Sequence, residues 1–485
     1  MSEIKKIHDM LSSKQISCKE LTEKYLNAIE SDNGELNAYV NVTSDEAIAQ
    51  AEKVDLKLSK GEDIGLIEGV PMTLKDNIST KGIETTCCSK ILTGYKPIYN
   101  ATVWEKLEKD GAVMLGKTNM DEFAMGSSCE TSYFGGATNP FNTKHCAGGS
   151  SGGVASAVGA NIAAYGLGSD TGGSIRQPAS FCGMVGLKPT YGAVSRYGLI
   201  AYASSLDQIG PITKTVEDAA IVYDAISDYD PKDSTSQGRK GNKTFDTVNN
   251  DIKGMKVGIA REYLEGVRDD VKESILNAVK VYERLGAEVV YFDMPALKFA
   301  LPVYYIIACA EASSNLGRYD GIRYGFKAER YNGTHDMMCR TRSEGFGEEV
   351  KRRILLGTYV LSAGYYDAYY KKAQNLRGTI VKAFDDAFTK CDFVLAPTVP
   401  MTAFEMGHAV SDPVETYLTD ICTVPVNIAG LPAVSIPCGF NDKGMPIGMQ
   451  LIGNKFSEAT ILNAANAYEK AAPENFNETK WGVKL

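Results

Sequence analysis

Histidine is scarce in this chain, which has only four among its 485 residues. Because histidine is the usual base beside a catalytic serine or cysteine, this scarcity narrows the choice of a catalytic base. Positive charge is also in short supply: the net charge is -9, and no segment gathers Lys and Arg into a stripe. Tight binding of a phosphate backbone by this chain alone is therefore not expected, since that affinity comes largely from clustered cations.

Long apolar runs and export signals are missing as well. The N-terminus reads MSEIKKIHDMLSSKQ, without the apolar region of a signal peptide, and no run approaches the roughly 18 apolar residues of a membrane span. Eleven cysteines, an odd number, favour reduced thiols over a disulfide framework. Cys87 and Cys88 are adjacent and form no CxxC pair, so no zinc ribbon or other metal site is predicted. We therefore expect a cytoplasmic protein that does not contact a membrane.

The N-terminal segment, residues 1–65, is predicted to be helical. Ser17-Cys18-Lys19-Glu20 is a capping-box pattern, and apolar residues follow it along one helical face. A second helix is predicted from Ser44 to just before Gly61, with acidic residues in its first turn.

Strand and helix patterns alternate after this segment. The order strand, helix, strand occurs twice, over 69–115 and over 255–292, and each occurrence is typical of a parallel βαβ unit. In the first strand Thr73 and Lys75 share one side. The patterns predict an α/β architecture with a mostly parallel or mixed sheet and helices on both faces. The predicted strands are 69–75, 112–115, 255–260, 289–292, 393–396, 433–437 and 447–452, and the predicted helices are 103–108, 270–285 and 457–471.

Two glycine-rich segments lie close together. Residues 148–153 read Gly-Gly-Ser-Ser-Gly-Gly, and residues 168–174 read Gly-Ser-Asp-Thr-Gly-Gly-Ser. Such loops let a backbone approach a ligand and let successive N–H groups converge on a developing anion. They are also common as flexible linkers, but the small and apolar stretch 154–165 between them is typical of a packed element. A Walker A loop is disfavoured because Val154 and Ala155 stand where it needs Lys and Ser or Thr.

A serine nucleophile in these loops would need a base. His145 is near Ser150 in sequence, but its surroundings do not form a nucleophile elbow. Lysine can replace histidine where its surroundings lower its pKa, and Lys75 at a predicted strand end is a candidate. A lysine at such a position is otherwise a solvated charge. Cys129 and Cys146 could suggest a thiol nucleophile, although buried structural thiols are the simpler interpretation.

The chain resembles the amidase-signature family at three separated positions. Lys75, Ser150 and Ser174, with their surrounding glycines, match the family's Ser–cisSer–Lys triad in type, order and separation. The resemblance implies the amidase-signature fold, with Ser174 as the nucleophile that forms an acyl-enzyme. It also implies that Ser150 relays the proton of Ser174 to Lys75 and returns it to the leaving ammonia, while Ser151 supports the loop. The implied oxyanion hole consists of the backbone N–H groups of Thr171, Gly172, Gly173 and Ser174.

Segments that extend beyond the motif resemble the glutamine-hydrolysing members of this family that serve glutamyl-tRNA(Gln)/aspartyl-tRNA(Asn) amidotransferases as their A subunits. The segments are 168–213, 304–325 and 344–370. The substrate of such proteins, free glutamine, carries an α-carboxylate and an α-ammonium, so its pocket requires a cation and an anion.

The resemblance assigns the carboxylate of glutamine to Arg353 and the ammonium to Asp420, with Tyr305 on the pocket wall. The residues by themselves also allow plainer roles. Arg352 and Arg353 are neighbours in a Glu/Lys/Arg helix, where a solvated face is usual, and Asp420 could equally cap a helix.

The resemblance also implies a heterotrimer with B and C subunits as partners, and no cofactor bound by this chain itself. The B subunit would hold the misacylated tRNA and use ATP and Mg²⁺ to convert Glu-tRNA(Gln) to Gln-tRNA(Gln), Asp-tRNA(Asn) to Asn-tRNA(Asn), or both. Two further classes stay open: a stand-alone amidase for another small carboxamide, and a non-catalytic scaffold. His145-Cys146-Ala147 stand where the family commonly has Val-Pro, which removes no triad group.

We expect one domain over residues 1–485. Within it, 66–228 would hold the catalytic core, 229–253 a polar surface insertion, and 254–485 the rest of the core and the substrate-pocket elements.

Overall fold

A computed structural model describes residues 2–238, 243–408, 413–477 and 479–485 of the chain. Its centre is a mixed sheet of eleven strands in this described part. In spatial order the strands are β1 (Tyr39–Val42), β3 (Val113–Thr118), β2 (Pro71–Lys75), β4 (Tyr165–Asp170), β6 (Gln208–Thr213), β5 (Val185–Lys188), β10 (Ala433–Phe440), β11 (Pro446–Gly453), β9 (Phe393–Pro397), β7 (Lys256–Ala260) and β8 (Glu288–Phe292).

Both predicted βαβ units are confirmed. Strand β2 runs parallel to β3, with helix α4 (Thr102–Lys109) between them in sequence, and β7 runs parallel to β8, with α8 (Asp269–Arg284) between them. Strand β2 is also parallel to β4, and β7 to β9, whereas the remaining neighbouring pairs are antiparallel. The sheet is therefore mixed, and its parallel parts are the two regions where crossover helices occur.

Helices cover both faces of the sheet, as predicted. Along β9, Phe393 and Leu395 belong to one apolar core, and Val394 and Ala396 belong to another. Because successive side chains of a strand point to opposite faces, the two cores lie on opposite sides of the sheet. The helices not yet named are α1 (Glu3–Ser12), α2 (Cys18–Leu36), α3 (Ser44–Ser59), α5 (Gly152–Gly159), α6 (Arg176–Phe181), α7 (Val216–Ile226), α9 (Ala300–Asn315), α10 (Gly333–Gly345), α11 (Glu348–Leu361), α12 (Lys372–Ala387), α13 (Pro413–Leu418), α14 (Val424–Ala429) and α15 (Glu458–Ala471).

Helices α2 and α3 confirm the two helices predicted within residues 1–65, and α1 precedes them, but the segment is not helical throughout because β1 also lies in it. Ser17 caps α2: its hydroxyl accepts a hydrogen bond from the Glu20 N–H, and the Glu20 carboxylate accepts one from the Ser17 N–H. This reciprocal pair satisfies two of the N–H groups that a helix start leaves free. In sequence, the segment is followed by β2, the strand that carries Lys75.

One described helical stretch, Pro295–Arg318, is long and apolar enough to cross a membrane, by length and composition alone. It contains α9, and 56% of its most apolar window is buried inside the protein. The buried side of α9 includes Tyr304, which faces the site described below.

The predicted insertion at 229–253 includes residues 239–242, which lie outside the described residues. Its described part contains a 3-10 turn at Phe245–Thr247. The division of the chain into a catalytic core and a pocket-forming part stays a prediction.

Candidate active site

Lys75, at the end of β2, is completely buried and is not a solvated charge. Its ammonium group donates hydrogen bonds to the hydroxyl of Ser150 at 2.7 Å, of Ser151 at 2.9 Å and of Ser169 at 3.0 Å. Strand β2 lies between β3 and β4, and this position holds the lysine against Ser169 at the end of β4 and against the loop that precedes α5. The predicted pairing of Lys75 with Ser150 is therefore present.

Burial lowers the pKa of Lys75 to about 8, because removing the ammonium group from water disfavours its charged form. Acidic groups around it, Asp121 foremost, limit the decrease. A useful fraction of the amine is consequently neutral near physiological pH, and a neutral amine can accept the proton of Ser150.

Ser174 lies in the loop between β4 and α6, directly beside the loop that carries Ser150. The Ser151 N–H donates to the Ser174 carbonyl at 3.0 Å, and this bond joins the two glycine-rich segments. The Gly149–Ser150 peptide bond is cis. The small-residue stretch between the two segments forms α5 and leads into β4, so both segments are ends of packed elements and not linkers.

Asp170 organises the Ser174 loop. Its carboxylate accepts hydrogen bonds from Nε and Nη2 of Arg176, both at 3.1 Å, from Nδ2 of Asn427 at 2.7 Å and from the Gly173 N–H at 2.8 Å. Burial alone would raise the pKa of Asp170, but the charge and hydrogen bonds of Arg176, together with Lys188 and Asn427, lower it to about 2. Asp170 therefore stays ionised, and its hydrogen bonds hold the turn that leads from the end of β4 to Ser174.

The expected oxyanion residues are fixed from both sides. The Gly172 carbonyl accepts a hydrogen bond from the Thr423 hydroxyl at 2.6 Å, while the Gly173 N–H is directed to Asp170. Within the described part of the chain, the N–H groups of Gly172 and Ser174 make no hydrogen bond. The Gly173 N–H was expected to face the oxyanion, but it already donates its hydrogen bond to Asp170. The N–H groups of Gly172 and Ser174 are the donors that remain available.

Arg353 lies on the inner face of α11, and the structure separates it from Arg352. The Arg353 side chain is 5% exposed, whereas that of Arg352 is 52% exposed on the outer face. Nε of Arg353 donates to Glu349 at 2.7 Å, and Nη1 donates to the Tyr202 hydroxyl at 2.7 Å. The solvated-face interpretation therefore applies to Arg352 and not to Arg353.

Asp420 and Tyr305 lie on the other side of this arginine. Asp420 accepts hydrogen bonds from the Ser127 hydroxyl at 3.0 Å and from the Tyr305 hydroxyl at 3.0 Å. The Tyr305 ring lies 5.2 Å from the guanidinium carbon of Arg353, so one tyrosine contacts both charged groups. The Asp420 side chain caps no helix: α14 begins at Val424, and the residue at its N-cap is Thr423.

Burial raises the pKa of Asp420 to about 7, against the opposing effect of its bonds to Ser127 and Tyr305. A cavity of about 220 Å³ adjoins these groups, and Ser127, Arg353 and Tyr417 contribute to its wall. Larger grooves, of about 1100 and 430 Å³, lie beside α8 and beside α15, and the predicted site residues do not line them.

Sequence reasoning did not single out several residues of this site. Arg176, Asn427 and Thr423 hold the Ser174 loop, and Ser127 and Tyr202 hold the charged pair. Only Arg176 could have been found from the sequence. It lies two residues after Ser174, so a buried Ser174 loop would also bury this arginine, and a buried arginine requires a partner.

The two candidate thiols are not suited to act as nucleophiles. Cys129 and Cys146 are buried, and burial raises the pKa of each thiol well above its usual value. Neither therefore forms a thiolate readily, and the interpretation as structural thiols holds.

Known proteins resemble this chain over most of its length. The Amidase family matches residues 20–462. The A subunit of glutamyl-tRNA(Gln) amidotransferase from Thermoanaerobacter pseudethanolicus is 54% identical over 469 residues, 96% of each chain. The protein of the same name from Thermosynechococcus vestitus is 53% identical over 474 residues, 98% of each chain.

Solved structures show the same likeness. The crystal structure of the glutamyl-tRNA(Gln) amidotransferase A subunit from Thermotoga maritima has a TM-score of 0.80 and 42% identity, covering 96% of this chain and 95% of that one. A bacterial aryl acylamidase of the amidase-signature family has a TM-score of 0.86 and 25% identity, covering 97% of this chain and 96% of that one.

Proposed function

The chain belongs to the amidase family, and from that premise we propose that it releases ammonia from glutamine as the A subunit of a tRNA-dependent amidotransferase. One observation carries this proposal: a buried arginine and a buried aspartate, Arg353 and Asp420, both contact Tyr305, and Arg353 lines the cavity beside them. Free glutamine offers a carboxylate and an ammonium on one carbon, and this pocket offers the matching charges. The names of the relatives, which share about half of their residues with this chain, support the same choice.

The pocket is joined to the Ser174 loop by Thr423. Its hydroxyl lies 2.6 Å from the Gly172 carbonyl oxygen and 3.1 Å from that of Asp420, so it can donate to either. Glutamine bound by its α-groups at Arg353 and Asp420 would therefore extend its side-chain amide toward Ser174.

Arg353 keeps donors for a substrate carboxylate. Glu349 and the Tyr202 hydroxyl each take one of its five N–H donors. The remaining donors can meet both oxygens of a carboxylate, which is the arrangement that a guanidinium group favours.

In the proposed reaction, Ser174 Oγ attacks the amide carbon of glutamine. Its proton passes to the hydroxyl of Ser150, which gives its own proton to neutral Lys75. The tetrahedral intermediate collapses to an acyl-enzyme, and Ser150 returns the proton to the leaving ammonia. Water then attacks the acyl-enzyme and gives a proton through Ser150 to Lys75; the bond to Ser174 breaks, the relay returns the proton to Ser174 Oγ, and glutamate is released.

We assign the oxyanion to the N–H groups of Thr171, Gly172 and Ser174. The Gly173 N–H contributes indirectly, since its bond to Asp170 fixes the peptide between the donors. Losing one preorganised donor of this kind typically slows a reaction by roughly 10²–10³.

The ammonia would pass to a partner, the B subunit, in a heterotrimer completed by a C subunit. The B subunit would hold the misacylated tRNA and use ATP and Mg²⁺ to activate its glutamate or aspartate, so this chain would bind no cofactor of its own. The net charge of -9 supports this division of labour, because a chain of this charge is a poor ligand for tRNA.

A stand-alone amidase for another small carboxamide is the second candidate. The structural likeness to a bacterial aryl acylamidase of the amidase-signature family favours it. The two differ in the pocket: an amidase for apolar amides has no use for a buried pair of opposite charges such as Arg353 and Asp420.

Labelling with an alkyl fluorophosphonate, together with a glutamine-dependent ammonia assay, tests the catalytic part of the proposal. We expect the reagent to modify Ser174 and Ser174→Ala to lower ammonia release by at least about 10³-fold. Ser362→Ala, at an exposed serine on the loop after α11, is the matched control and should keep full activity. Labelling of a different serine, or an active Ser174→Ala variant, would refute the assignment.

A further inference from the structure

Asp207 is a buried carboxylate that none of the proposed steps uses. It directly precedes β6, and its side chain joins two segments of the chain. Oδ1 accepts a hydrogen bond from the Thr171 hydroxyl at 2.6 Å, and Oδ2 accepts one from the Tyr202 N–H at 2.9 Å. The Ala203 N–H donates to both oxygens at 3.1 Å. Four hydrogen bonds from three residues make Asp207 a rigid connection between Thr171 and the segment that begins at Tyr202.

One end of this connection is the oxyanion loop. Thr171 follows β4 directly and precedes Gly172, whose N–H we assign to the oxyanion. Tyr304 lies against the same glycine: a Cβ added to Gly172 would come within 2.5 Å of the Tyr304 Cζ. A shift of the Thr171 side chain would therefore move donors that have little room for any other position.

The other end of the connection is the pocket arginine. The Tyr202 hydroxyl accepts a hydrogen bond from Nη1 of Arg353 at 2.7 Å, and its ring lies 5.7 Å from the guanidinium carbon. The Tyr202 carbonyl accepts a bond from Nδ2 of Asn315 at 3.2 Å, which ties the segment to α9. Tyr202 thus contacts Arg353 with its side chain and Asp207 with its backbone.

We propose that Asp207 is a positioning residue that couples the oxyanion loop to the carboxylate-binding arginine, through Thr171 on one side and Tyr202 on the other. This inference rests on the proposed glutaminase function. A glutamine carboxylate at Arg353 fixes the guanidinium, the guanidinium fixes Tyr202, and Asp207 passes the constraint to Thr171 and Gly172. Binding energy from the end of the substrate that does not react is then expressed in kcat, because the donors are held most firmly when that end is bound.

The coupling is tested with variants that remove single hydroxyl groups, in the chain assembled with its partner proteins. Tyr202→Phe removes the acceptor for Arg353 and should lower kcat for glutamine about tenfold, with a smaller change in KM. The same variant should be modified by an alkyl fluorophosphonate at the wild-type rate, since this reagent has no α-carboxylate. Thr171→Val should slow both glutamine turnover and labelling of Ser174, whereas Thr171→Ser keeps the hydroxyl and should restore most of the rate that Thr171→Val loses.

The double variant of Tyr202→Phe and Thr171→Val decides between coupling and two separate local effects. Coupling predicts that its kcat for glutamine is close to that of Thr171→Val alone, so that the two losses do not multiply. Losses that multiply, or a Tyr202→Phe variant in which only KM changes, would overturn the inference. A wild-type chain whose Ser174 is labelled but which never hydrolyses glutamine would instead refute the proposed function.

Discussion

At the scale of single residues, the chemistry depends on how burial changes the charge of two groups. Lys75 loses part of its positive charge on burial, and Asp420 loses part of its negative charge, since burial disfavours the charged form of each. The first change makes a base available, and the second makes the pocket sensitive to pH. The titration of each group should therefore appear in the pH dependence of a kinetic constant, kcat/KM for Lys75 and KM for Asp420.

The pKa of about 8 for Lys75 predicts that kcat/KM rises with pH through about 8. The neutral amine is the active form, and its fraction increases as the pH passes the pKa from below. Lys75→Ala should lower the rate by roughly 10²–10⁴ and abolish this rise. Lys60→Ala, at an exposed lysine, should leave the pH–rate profile unchanged. An unaltered profile in Lys75→Ala would remove Lys75 from the mechanism.

The pKa of about 7 for Asp420 predicts that KM for glutamine increases as the pH falls through about 7. Protonation removes the negative charge that the substrate ammonium requires. Asp420→Asn should raise KM by roughly 10–100-fold and make it independent of pH in this range, since a hydrogen bond to a charged group contributes about 1.5–3 kcal/mol. Asp367→Asn, at an exposed aspartate, serves as the control. Steady-state kinetics at pH values above and below this pKa measure the effect. A wild-type KM in Asp420→Asn would contradict the assignment.

The glycine-rich segments drew attention to Ser150 and Ser174 because that context is local, whereas Lys75 was assigned only through the family resemblance. The sequence could not choose between Arg352 and Arg353, because that choice depends on which face of α11 meets α9. Nor could it find Asn427, which bonds to Asp170 across 257 positions of sequence. Residues that meet only in the folded chain leave no local pattern in the sequence. The same holds for the contact of Asp207 with Thr171 and for that of Tyr202 with Arg353.

At the scale of elements, the site depends on a loop that only glycine can form. Gly173 has φ of +135°, and a Cβ there would lie 2.3 Å from the Thr423 hydroxyl oxygen. Because that hydroxyl also holds the Gly172 carbonyl, a side chain at position 173 would displace the oxyanion donors. The loop follows a strand that sequence reasoning did not predict: β4 is buried on both faces and rich in glycine, so it shows no alternation.

Gly173→Ala tests this dependence. We expect kcat to fall by about 10² or more, and the free energy of unfolding to decrease by about 1–3 kcal/mol from backbone strain. Gly364→Ala is the matched control, because nothing lies within 4 Å of the added Cβ and the glycine has no positive φ. Thermal denaturation and steady-state kinetics measure both effects. If Gly173→Ala had the same stability and kcat as Gly364→Ala, the requirement for glycine at position 173 would be contradicted.

At the scale of the whole molecule, the two βαβ units were predictable because each has local periodicity and its strand, helix and strand follow one another in sequence. The strand order was not, since β10 and β11 return from the C-terminal half to lie between β5 and β9. This return brings α14 and the residues before it, including Asp420 and Thr423, against the Ser174 loop. The proposed glutamine pocket therefore draws on residues from Ser127 to Asp420, whereas the proposed triad lies within residues 75–174.

The proposed function is tested most directly by ammonia release from glutamine, measured with the purified chain alone and then with its B and C subunits, ATP and Glu-tRNA(Gln). A glutaminase of an amidotransferase should be strongly stimulated in the complete assembly, and Ser174→Ala should lose this activity. Hydrolysis of simple amides by the chain alone, with no glutamine turnover in either setting, would contradict the proposal and identify a stand-alone amidase.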